Sequence, residues 1–119
     1  MNTQDVSLSI QEIIKQLETA KKHIKERSEK KAEASAQYDK AVASVLIGLR
    51  NGKAYELDGV AISEPPASIM DKVARGICWQ EKLNMDLAEA EYKSLITGIE
   101  LTQSQLMGWQ SIFKYQSEV

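Results

Sequence analysis

Residues 88–113 read AEAEYKSLITGIELTQSQLMGWQSIF, and their apolar positions decide the fold. Ala88, Tyr92, Leu95, Ile99, Thr102, Leu106, Trp109 and Phe113 follow one another at alternating steps of four and three. On a helix that spacing draws one narrow stripe over about seven turns. Water does not tolerate such a stripe uncovered, so a second helix must lie along it. The spacing therefore predicts an antiparallel helical pair or a piece of a larger helical assembly. Leu83, Leu87 and Ile96 are expected to widen the apolar face of its first half.

The covering helix must come from the N-terminal half. Ile10, Ile13, Ile14, Leu17 and Ile24 form one apolar cluster there, and Tyr38, Val42, Val45, Leu46 and Leu49 form another. Residues 7–50 contain no proline and only Gly48 as a glycine, which predicts one long helix. Ser9 and Glu12 have the form of a capping box. Asn51 and Gly52 tolerate the left-handed conformation that ends a helix. Between the clusters, residues 21–36 read KKHIKERSEKKAEASA, with little beyond Ile24 to pack. About forty helical residues measure about 60 Å, whereas a compact domain of this length has a radius of gyration near 13–14 Å, roughly. A single long helix thus implies a rod, and a thin rod buries little surface alone, so self-association is expected.

The connection changes period. Tyr55, Glu56 and Leu57 and then Val60, Ala61 and Ile62 flank Asp58-Gly59, the dipeptide of a type I′ hairpin turn, within residues 53–63. Ser63 and the prolines at 65 and 66 suit the start of a short helix over 65–75, with Gly76 as a cap or bend. A second long helix spans 77–116. The fold class is all-α: two long antiparallel helices in a coiled-coil-like hairpin, joined by a short β-hairpin and a short helix, in a single oligomeric domain.

Composition bounds the function. At 119 residues with 43% hydrophobic and 27% charged residues, the chain reads as an ordinary soluble domain. A formal charge of −2 gives no global drive toward nucleic acid or acidic membranes. No apolar run approaches the ~18 residues of a membrane span, and the start lacks the form of a secretory signal. One cysteine, Cys78, cannot close an internal disulfide. A cytoplasmic protein is expected.

Catalysis finds little support. The only histidine, His23, sits among Lys21, Lys22 and Lys25, as a solvated group or a ligand contact. Cys78 has no base near it in sequence and reads as a small buried residue. Asp86, Glu89 and Glu91 do not share one helix face, and no Glu-x-x-His pair or phosphate loop occurs. No catalytic residue, metal ligand or cofactor is assigned.

Three interaction readings remain. Tyr92, Leu95, Ile99, Leu106, Trp109 and Phe113 form a packing or oligomer seam, with Leu106, Trp109 and Phe113 the first place to look for a second chain. Arg50, Lys53, Tyr55 and Arg75 gather cations and an aromatic near a turn and a helix end, suited to an acidic partner or to a small anionic, nucleotide-like ligand held at an oligomer interface, unless Arg75, with Lys72, simply sits favourably at the C-terminal end of the short helix. Lys21, Lys22, Lys25, Arg27, Lys30 and Lys31 exceed the nearby Glu26, Glu29 and Glu33 by three charges, and would contact nucleic acid or simply face solvent. Residues 81–100 carry an acidic surplus, so opposite charge on the two long helices would either set the register of an assembly or mark two unrelated solvated faces.

Ser68-Ile-Met-Asp-Lys-Val-Ala-Arg-Gly76, followed by Asp86-Leu-Ala-Glu-Ala-Glu-Tyr-Lys93, resembles small helical proteins encoded by phages and prophages of Gram-positive bacteria. There, an Ala-Arg-Gly helix end leads into a long helix with a similar Ala-Glu-x-x-Tyr-Lys run. The resemblance covers roughly the last 50 residues; the hairpin and Cys78-Trp79 depart from it. It implies a setting, the infected host's cytoplasm, more than a mechanism. Taken with the self-association expected of a thin rod and the lack of catalytic groups, the function expected is that of a non-catalytic protein that oligomerises and modulates a host complex, such as a defence or replication component.

Overall fold

The computed structural model describes residues 2–118. Helix α1 runs Thr3–Arg50, strands β1 and β2 are Tyr55–Leu57 and Val60–Ile62, helix α2 is Met70–Ile77 and helix α3 is Trp79–Glu118. The chain is mostly helical, with two long helices, one small antiparallel hairpin and one short helix. It divides into two compact units: residues 1–28 with 90–119, and residues 29–89. Both long helices contribute to both units.

The expected first helix starts too late by four residues. Asn2, not Ser9, caps α1: its side-chain oxygen accepts the Asp5 backbone N–H at 2.8 Å. The Ser9 hydroxyl instead donates back to the Asp5 carbonyl at 3.0 Å, an interior helical habit of serine. At its other end α1 stops as Asn51-Gly52 predicts. The Lys53 N–H reaches the Gly48 carbonyl at 2.9 Å and the Gly52 N–H reaches the Leu49 carbonyl at 3.2 Å. Together with a φ of 81° at Gly52, these two bonds make a Schellman cap.

In the first unit, Ile13 and Leu17 of α1 and Ile99 of α3 are buried together. Ala20, Ile24, Leu95, Leu106 and Trp109 close around them. The charged stretch is tied in by Arg27, whose guanidinium donates to Glu91 at 3.2 Å. Arg27 meeting Glu91 while Leu17 meets Ile99 makes the two helices antiparallel here. The pair is about 40% exposed on each side, so it adds at most ~1 kcal/mol. Its use is register: sliding α3 by one turn would put Arg27 beside an apolar residue.

The second unit is built on Leu49, which has no exposed surface, packed with Val45, Ala74 and Cys78. Tyr55 and Ile62 of the hairpin and Met70, Val73 and Ile77 of α2 cover this core. The hairpin pairs Tyr55 with Ile62 and Leu57 with Val60. Its turn has φ of 49° at Asp58 and 80° at Gly59, the two positive values a type I′ turn requires. A hairpin this short is marginal alone. Packing of its inward side chains and the Ser63 hydroxyl bond to the Gly52 carbonyl, 3.3 Å, hold it to the end of α1.

The short helix starts at Met70 rather than near Pro66. Residues 67–69 form turns instead, with the Ile69 N–H on the Pro66 carbonyl at 3.1 Å. Ser63 is committed to Gly52 and is unavailable as a cap. Gly76 neither caps nor bends the chain: α2 passes through it, and the break falls at Cys78, with φ −91° and ψ 28°.

Candidate functional site

An open groove of 730 Å³ lies in the second unit. Val42, Ala43 and Leu46 of α1 floor it, Tyr38 and Trp79 wall it, and Arg75, Lys82 and Asp39 stand at its margins. The helical repeat explains the grouping. Tyr38, Val42 and Leu46 are spaced four apart, so one face of α1 presents all three, while the break at Cys78 sets Trp79 at the start of α3. The Lys82 ammonium lies 5.7 Å from the centre of the Tyr38 ring and 3.2 Å from the Asp86 carboxylate.

From Trp79 an apolar ridge continues through Leu83 and Leu87, each about half exposed. Here the structure departs from the expectation that Leu83 and Leu87 widen the packed face. The side of α3 turned inward passes through Glu81, Met85 and Ala88, of which Ala88 is buried. At 100° per residue Leu83 and Leu87 lie roughly 120–160° around the helix from that side, toward solvent. Periodicity alone had two apolar stripes to choose between in this stretch, and neighbouring elements selected the one without the leucines.

Of the four residues expected to form an anion or partner site, the groove takes in Arg75 alone. Tyr55 packs on the core below, and the Lys53 ammonium sits over its ring at 5.0 Å. Arg50 is exposed at the end of α1. Trp79, Lys82 and Tyr38 were missed as a group because they come together only when α2 folds back on α1. The adjacency of Trp79 to a helix break was the one sequence signal available.

The expected packing seam on α3 is half-buried or buried throughout: Tyr92, Leu95, Ile99, Leu106, Trp109 and Phe113. Leu95, Ile99, Leu106 and Trp109 lie against α1 of the same chain. On α1, Lys21, Lys22, Lys25 and Lys30 are exposed, whereas Arg27 and Lys31 are half-buried. At 100° per residue, Lys21, Lys22 and Lys25 share one side, while Arg27, engaged with Glu91, faces another. His23 lines a shallow 520 Å³ depression with Glu12, Lys15 and Thr19, and its ring stands 3.5 Å from Glu26.

Cys78 is buried. Burial pushes its thiol pKa up, and the nearby Glu81 carboxylate adds to the rise. Both effects disfavour the thiolate, the reactive form. Cys78 in the folded protein will therefore react with a thiol reagent at least about a hundredfold more slowly than in urea, through opening of the structure; equal rates would show the thiol to be open. The folded state keeps this proton longer than the unfolded chain does. Its contribution to stability is therefore constant below the ordinary thiol value of about 8.5 and declines as pH rises from there toward the raised value. Cys78→Ala should remove that alkaline decline and leave the acid limb unchanged in urea titrations.

Among the described residues no three His, Cys, Asp or Glu side chains gather closely enough to hold a metal ion, and no helix is long and apolar enough to cross a membrane. Compared with known proteins, the chain matches no family model, no curated protein and no solved structure.

Proposed function

We propose that the chain is a non-catalytic, phage-derived interaction protein that self-associates and binds a host protein complex in the cytoplasm. The observation that carries the binding reading is the exposed ridge of Trp79, Leu83 and Leu87 leading into the Tyr38–Trp79 groove. An exposed tryptophan flanked by leucines is costly in water and is the residue type that anchors protein interfaces. Lys82 is shared with Asp86, so Arg75 is the groove cation left to set against a partner, which favours an amphipathic helix with its apolar side on the ridge and a carboxylate on Arg75.

Affinity capture from an extract of a Gram-positive host tests this, using the parent, Trp79→Glu/Leu83→Glu and Lys21→Glu/Lys25→Glu side by side, each with and without nuclease treatment of the extract. A protein retained by the parent and the lysine variant but lost with the ridge variant supports the reading. Retention that depends on the lysines and disappears with nuclease would replace it by nucleic-acid binding through α1. Retention indifferent to both variants overturns the ridge.

A further inference from the structure

Helix α3 has a second uncharged face in the first unit. It runs from Gly98 through Leu101, Gly108 and Ile112 to Tyr115, on the side of the helix away from Ile99 and Leu106, which pack on α1. Leu101 is 63% exposed, Tyr115 71% and Ile112 44%. At both glycines a side chain would meet nothing within 4 Å, so each is an open notch in the surface. Along one flank of this face stand Glu100, Met107 and Lys114, seven residues apart. All three are exposed.

From this arrangement we infer that the occupant of the face is a second copy of the same chain, paired antiparallel about a two-fold axis at Met107. In an antiparallel helix pair, residues at the same heptad position on one flank face each other across the seam. With the axis at Met107, Glu100 of each copy meets Lys114 of the other, twice over. Ile112 then sits over the Gly98 notch of the second copy, and Leu101 over Ser111, whose hydroxyl is turned back onto the Met107 carbonyl at 3.0 Å. Leu101 and Ile112 thus each meet a small residue, which lets the two helices approach closely, while the flexible Met107 side chains of the two copies lie beside each other at the axis. A parallel pair would place Glu100 against Gln105 and leave both charges without an opposite. The charge pattern therefore selects orientation as well as partner. This inference rests on the reading of the chain as self-associating; it is separate from the Trp79 ridge.

Sedimentation equilibrium on charge-reversal variants tests it. The parent should dimerise, and Glu100→Lys alone or Lys114→Glu alone should weaken the dimer about tenfold, since each variant turns two attractions into repulsions. The double variant Glu100→Lys/Lys114→Glu should recover the parent affinity, which only an antiparallel self-pairing does. Leu101→Glu should give a monomer whose helical circular dichroism per residue equals the parent's at matched dilution. Trp79→Glu/Leu83→Glu should dimerise as the parent does, so a failed partner capture and a failed dimer are told apart. A parent that stays monomeric at about 100 μM, a concentration where a specific interface of this kind is populated, overturns the inference. So does a dimer indifferent to the single reversals, or one not restored by the double reversal.

Discussion

Leu49→Ala should cost the protein 2–5 kcal/mol, roughly, the range for truncating a fully buried leucine in a core that relaxes only in part. Leu49 has no exposed surface and packs with Val45, Ala74 and Cys78 under the hairpin and α2. Around it the second unit has few other wholly buried side chains to compensate. Small domains hold only about 5–15 kcal/mol in total, so a large part of the margin goes. Urea titration followed by circular dichroism reads the loss as a lower midpoint. Ile47→Ala, two residues away and 62% exposed, should change the midpoint by less than ~0.5 kcal/mol. Near-equal effects at the two positions would mean that α1 is not rotated as described.

Gly48→Ala should have the sign opposite to its helix propensity. In an open helix the change adds about 1 kcal/mol of stability. At position 48 the new methyl would overlap the Tyr55 hydroxyl and press on two ring carbons at 3.0 and 3.1 Å. The ring cannot move alone, because Tyr55 is paired to Ile62 and packed on the core. Relief requires lifting β1 from α1, and the expected net loss is about 1–3 kcal/mol, the cost of overpacking. In a Tyr55→Ala background the same substitution should become stabilising. This reversal of sign within a double-mutant cycle isolates the contact. Loss of stability that persists without the tyrosine would place the cause in the cap, where the Gly48 carbonyl accepts the Lys53 N–H.

Several features needed only local information. Asp58-Gly59 names its own turn because the residues either side alternate and the dipeptide tolerates positive φ. Asn51-Gly52 likewise names the end of α1, since the glycine supplies the left-handed residue of the cap. The seam from Leu95 to Trp109 follows from helical periodicity, and the partner it needs is found in Ile13, Leu17 and Ile24. Where two local solutions compete, sequence has no means to rank them. Ser9 could begin a helix as well as Asn2, and Ser63 could cap α2 or bind Gly52. Leu83 and Leu87 could extend the seam or leave it.

The candidate site belongs to that second group. Arg75 was legible as a cation near a helix end, but its grouping with Arg50, Lys53 and Tyr55 followed closeness in the chain. In the fold, Tyr55 turns into the core and Arg75 turns toward Tyr38 and Trp79.

From sequence alone came the element types, their order, the hairpin register and one packed stripe, because each depends on backbone preference and on spacing within a single element. The tertiary structure decided which stripe of α3 is covered in each unit, that Arg27 meets Glu91, and that Trp79 stands exposed beside Arg75 and Lys82. Those outcomes depend on side chains far apart in the chain competing for the same buried surface, and the competition is settled only when all of them are placed together.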